Sequence, residues 1–122
     1  MRYPAGKELR LRRRADIGRL FDHGRRASDG VMTILAAPRA DAPGPLRMAV
    51  VVSRRVGGAV QRNRVKRICR EAFRLVRPDM PDGWDVVLAP RGGKAGIEAL
   101  QASIRKLLGR LTRPTAQKGP EA

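Results

Sequence analysis

The sequence predicts a single-domain α+β fold in which helices pack against one small sheet. Three observations carry that expectation. Over residues 59–76, Val65, Ile68, Cys69, Ala72 and Val76 recur at the offsets that line one helical face, and Phe73 widens it. Residues 46–53 are a short β-branched run between turn signals, the strongest strand pattern in the chain. Near the end, Ile97, Leu100, Ile104, Leu107, Leu108 and Leu111 fall on one stripe, which predicts a second amphipathic helix.

The remaining elements follow in order. Residues 1–14 hold Arg2, Lys7, Arg10, Arg12, Arg13 and Arg14 against one acid, Glu8, and read as a basic arm that lies along phosphates. Asp16 is placed to cap a short helix whose Ile17, Leu20 and Phe21 share a face; Gly24 ends it. Residue type alone puts Phe21 in the core. Residues 25–30 are polar and read as a loop, and 31–36 as a strand. Pro38, Pro43, Gly44 and Pro45 signal a turn, so 31–36 and 46–53 are expected to pair antiparallel. Pro78, Pro81 and Gly83 stop the long helix, 85–89 is another strand, and Gly92 and Gly93 turn into the last helix. The order is helix, strand, strand, helix, strand, helix. Residues 15–111 form the domain and 112–122 a disordered tail.

Charge narrows the function. The 122 residues carry 27 Lys and Arg against 11 Asp and Glu, a formal charge of +16. Hydrophobic residues make up 42 %, enough for a folded core rather than a basic tail. Along the long helix Asn63, Arg67, Arg70 and Arg74 stand opposite the apolar stripe, Arg62 and Lys66 flank it on one side and Arg64 on the other. Glu71 is the one acid in that helix. Surface helices ordinarily mix signs. Cations this poorly matched need partners from outside, and guanidinium suits phosphate. The expected partner is nucleic acid.

Other classes fall away. Aromatics are 3 %, too few for a sheet that stacks several bases. Arg54, Arg55, Val56, Gly57 and Gly58 join strand to helix, but the P-loop spacing is absent. His23 is the one histidine and Cys69 the one cysteine, so neither a Ser-His-Asp site nor a His/Cys metal site is expected. Cys69 sits on the apolar face and reads as a small buried hydrophobe. No membrane span or signal peptide is expected, which makes the cytosol the default location.

The run from Gly57 to Arg74, centred on Arg62, Asn63 and Arg64 and preceded by Val51 to Val56, resembles the protein component of bacterial ribonuclease P. Residues 10–24 resemble that family's first helix, and 85–90 its later strand; the likeness spans about 9–111. It implies an α/β sandwich, a small mixed sheet packed by helices, with a left-handed βαβ crossover around the long helix. It implies removal of the 5′ leader of precursor tRNA, with the chemistry carried by an RNA subunit that holds Mg²⁺. The implied partners are that catalytic RNA and the leader, with no membrane and no DNA.

Carried over by position, the resemblance gives Ser53, Arg54, Arg55, Gly57, Arg62, Asn63, Arg64, Lys66, Arg67 and Arg70 to the RNA-facing surface. It gives Arg12, Arg13, Ile17, Phe21 and His23 to a leader groove. Ile17 stands where the family commonly has an aromatic, so apolar packing with phosphate contact is expected there in place of stacking. A ribosomal or other structural RNA-binding protein would share the charge and size but not the match along the helix. A helix-turn-helix DNA reader would need a short helix and tight turn before the basic helix, which the sequence lacks.

Overall fold

The computed structural model describes residues 14–39 and 44–112. Helix α1 spans Arg14–His23, α2 Ala59–Val76 and α3 Ile97–Leu111; the strands are β1 Arg25–Ser28, β2 Met32–Pro38, β3 Arg47–Val50 and β4 Trp84–Pro90. The order is therefore α-β-β-β-α-β-α. The expected arm up to Arg13, the residues of the expected tail after Thr112, and Pro43 lie outside the described residues.

Both long helices form where their periodicity places them. Val65, Cys69, Ala72, Phe73 and Val76 of α2 and Leu100, Ile104, Leu107, Leu108 and Leu111 of α3 are buried. They pack on Met32, Ile34, Ala36, Met48, Val50, Val86 and Leu88, which point to one face of the sheet by the two-residue alternation of strands. The opposite face carries Leu35, Ala37 and Val87, against which α1 seats Leu20 and, less deeply, Ile17. The result is two helices, a sheet and one short helix in three layers.

Three expectations need correction. First, residues 25–30 are not all loop: Arg25–Ser28 is an edge strand paired antiparallel with β2. Its side chains alternate half-buried and exposed, and its polar residues find partners across the sheet. Ser28 Oγ and Thr33 Oγ1 lie 2.8 Å apart, Arg25 donates to Leu111 O at 3.0 Å, and the Arg25 guanidinium sits 5.7 Å from the Trp84 ring. A strand with one neighbour needs few apolar residues.

Second, β2 and β3 are not partners. The sheet order is β1-β2-β4-β3, with β4 antiparallel to β2 and parallel to β3. Because α2 connects β3 to β4, those strands run the same way and adjoin, which displaces β3 from β2. The β3–α2–β4 unit is a βαβ crossover, the connection the resemblance places around the long helix. Third, α1 begins at Arg14, so Asp16 lies inside its first turn rather than capping it; there its charge still favours the positive helix end.

At the junction of β3, β4 and α1, Asp85 is fully buried. Arg47 grips both of its oxygens, Nε to Oδ1 at 2.8 Å and Nη2 to Oδ2 at 2.9 Å, and Arg19 Nη2 reaches Oδ2 at 3.2 Å.

Candidate nucleic-acid interface

The surface is built on the loop that leaves β3 and the helix that follows. Ser53 Oγ accepts from Arg55 N at 3.0 Å and caps a single 3₁₀ turn, Arg54–Val56. Gly57 closes the turn by donating to Arg54 O at 3.2 Å, with φ at +151°. A Cβ there would stand 2.8 Å from Gln61 Cγ, so both backbone and packing require glycine. Gly58 then caps α2, and its carbonyl accepts from Arg62 N at 2.9 Å.

Gln61 is held from two sides. A Cβ on Gly93 would lie 2.8 Å from its Nε2, so the turn after β4 packs directly on the first turn of α2. That contact sets Arg91 and Lys94, both exposed, beside the α2 N-terminus.

The expected cations divide into two groups. Arg54 and Arg55 on the loop and Asn63, Arg64, Arg67 and Arg70 on the helix are exposed, and Lys66 is half-buried. Among the described residues, Arg54, Arg55, Arg64, Lys66 and Arg67 form no ion pair. Arg62 instead turns inward: its Nη1 donates to Gly57 O at 2.8 Å and ties the loop to the helix. Arg74, at the far end of the same stripe, is held by Glu71 through two hydrogen bonds of 3.1 and 2.6 Å. Those bonds from Arg74 lower the Glu71 carboxyl below its usual range. The cationic surface is thus densest around the first two turns of α2 and the loop before it.

Val60 went unnoticed in the sequence. It is 85 % exposed, one helical turn before Asn63 and Arg64, on the same side as Arg67. Its signal was an apolar residue lying off the buried stripe. Arg91 and Lys94 were also missed, because they are far from the loop in sequence.

Of the residues expected at the leader groove, Ile17, Phe21 and His23 lie on α1, the helix over the opposite sheet face. Phe21 is 46 % exposed rather than in the core, and Ile17 is half-buried beside Leu20. Away from the α1 contact the same face carries Ser28, Thr33 and Ala89, all at least partly exposed. His23, at the end of α1, is exposed. Arg12 and Arg13 lie outside the described residues.

Chemistry of its own is scarce on this surface. Burial pushes the Cys69 thiol up to about 11, so it stays protonated and inert near neutrality. Among the described residues no three His, Cys, Asp or Glu side chains come together to hold a metal ion. No described helix is long and apolar enough to cross a membrane.

A surface of unmatched guanidinium groups on a small α+β scaffold defines an RNA-binding protein. The Ribonuclease P family model matches residues 6–112. The ribonuclease P protein component of Desulfovibrio desulfuricans is 36 % identical over 116 residues, covering 92 % of this chain and 89 % of that one. That of Chloroflexus aurantiacus is 44 % identical over 105 residues, covering 84 % and 76 %. The solved ribonuclease P protein of Thermotoga maritima superposes with a TM-score of 0.74 at 28 % identity, over 85 % of this chain and 98 % of that one. The chain belongs to the bacterial ribonuclease P protein family, the protein subunit of a holoenzyme that processes tRNA.

Proposed function

We propose that this subunit binds the catalytic RNA of ribonuclease P through the 53–57 loop and α2, and the 5′ leader of precursor tRNA through the groove between α1 and the sheet. The observation that carries the reading is the set of cations without ion pairs, Arg54, Arg55, Arg64, Lys66 and Arg67, on one loop–helix unit. Phosphates of a folded RNA supply what those side chains lack.

The groove reading is supported by Phe21, an aromatic left half exposed on the helix that lies over this face of the sheet, where a single strand can lie with its bases against apolar side chains. Binding the leader on one face while the other surface grips the catalytic RNA adds affinity for precursor over product and fixes the scissile bond relative to the ribozyme. It also broadens the range of precursors accepted. The metal ions of the reaction belong to the RNA in this reading, and the cytoplasm is where both RNAs are met.

The test is reconstitution with the cognate catalytic RNA and a precursor tRNA at low Mg²⁺. Added protein is expected to stimulate leader removal. A protein that binds the RNA without stimulating cleavage is a structural RNA-binding protein instead, and the reading falls.

A further inference from the structure

Helix α1 has ten residues, and Leu20 is its one described side chain fully withdrawn from solvent. One deep apolar contact, with half-buried Ile17 beside it, fixes how closely the helix approaches the sheet but holds its roll about the axis only loosely. Rolling matters here. At 3.6 residues per turn, Arg19 and Phe21 leave the helix about 100° to either side of Leu20. Whatever holds Arg19 therefore decides where Phe21 points.

Arg19 is held by Asp85, which Arg47 of β3 already grips at both oxygens. The buried carboxylate is thus paired without Arg19. Arg19 moreover leaves its own Nε buried with no hydrogen-bond partner among the described residues. An unmet buried donor costs stability, so this seat is not explained by stability alone. Such local conflicts concentrate where function sets the geometry.

We propose that the Arg19–Asp85–Arg47 cluster sets the roll of α1 and so aims Phe21 across the open part of the sheet, making Arg19 a positioning residue for the single-stranded RNA the groove takes. The inference rests on the leader-groove reading above. Arg47 and Asp85 come from adjacent parallel strands, in register as a pair, and form a fixed anchor. Arg19 is the adjustable member, 28 % exposed at the groove wall.

Holoenzymes reconstituted with Arg19→Met, Arg19→Lys and Phe21→Ala test it. Three readouts are taken: affinity for leader-bearing precursor, affinity for mature tRNA, and hydrogen exchange of α1 and α2 amides. Arg19→Met is expected to weaken precursor binding about five- to tenfold, leave mature tRNA binding unchanged, and speed exchange in α1 but not α2. Arg19→Lys is expected to restore most of the loss, because the contact is one nitrogen to one oxygen. If Arg19→Met binds precursor like wild type while Phe21→Ala does not, the positioning role is overturned and the groove stands. If Phe21→Ala is silent as well, the groove reading fails and takes this inference with it. Should Arg19→Met loosen α2 too, the lysine variant decides: wild-type precursor affinity supports the role, and a folded variant that has lost it overturns the role.

Discussion

Arg62 and Arg67 sit five residues apart on α2, yet the structure gives them different work. Arg67 points about 170° away from the centre of the buried stripe and makes no ion pair among the described residues. Arg62 spends a guanidinium nitrogen on Gly57 O at 2.8 Å. Replacing Arg67 by alanine should remove one phosphate contact and lower the slope of log affinity against log salt by about 0.7–0.9. Across a fourfold salt range, from about 50 to 200 mM, the variant's deficit should then shrink about threefold. Arg62→Ala should behave otherwise. A hydrogen bond from a charged group is worth about 1.5–3 kcal/mol, and its loss frees the turn that carries Arg54 and Arg55. Affinity for the catalytic RNA should drop about tenfold with the salt slope nearly kept. Filter binding or fluorescence titration of the RNA at four or five salt concentrations reads both quantities. A slope reduced equally in Arg62→Ala would put Arg62 on phosphate and refute the brace; an unchanged slope in Arg67→Ala would remove Arg67 from the interface.

Three further outcomes are expected. Val60→Ala should weaken binding of the catalytic RNA about two- to fivefold at every salt concentration, since an apolar contact of about 1 kcal/mol releases no counterions; the same titrations check it. Gly57→Ala should distort the loop, because φ is +151° and Gln61 occupies the Cβ position. A stability loss of about 1–3 kcal/mol in urea melts, with a larger relative loss in RNA affinity, is the expected signature.

The third concerns acid. Burial alone would raise the Asp29 carboxyl, but hydrogen bonds from Met32 N, Ser103 Oγ, Val31 N and Lys106 hold it well below the usual carboxylate range. A lowered folded-state value stabilises above the unfolded value of about 4 and is lost as pH falls below it. The stability gap between wild type and Asp29→Asn should therefore be full at pH 6 to 7 and narrow progressively in melts below about pH 4.

How much was legible in the sequence follows from what each signal measures. Both long helices announce themselves because many apolar residues repeat at one period, and the buried sets match residue for residue apart from half-buried Ile68, exposed Ile97 and buried Ser103. Strand β1 did not, because an edge strand held by Arg25 and Ser28 leaves no apolar alternation to find. Pairing was misjudged for another reason: adjacency along the chain suggested β2 with β3, whereas the partner of both begins at Trp84. On the site, residue types located the cationic helix, but direction was invisible. Only the structure shows that Arg62 faces its own loop and that Phe21 stays in solvent.

The central place of β4 has a consequence for synthesis. Both β2 and β3 pair with residues 84–90, and the carboxylate that gathers Arg19 and Arg47 is Asp85. A nascent chain that has emerged only as far as α2 holds β3 without the strand it pairs with, and Arg19 and Arg47 without Asp85. The sheet is therefore assembled late, once β4 has left the ribosomal tunnel. Until then a strongly cationic, half-built polypeptide waits beside the most abundant polyanion in the cell, ribosomal RNA.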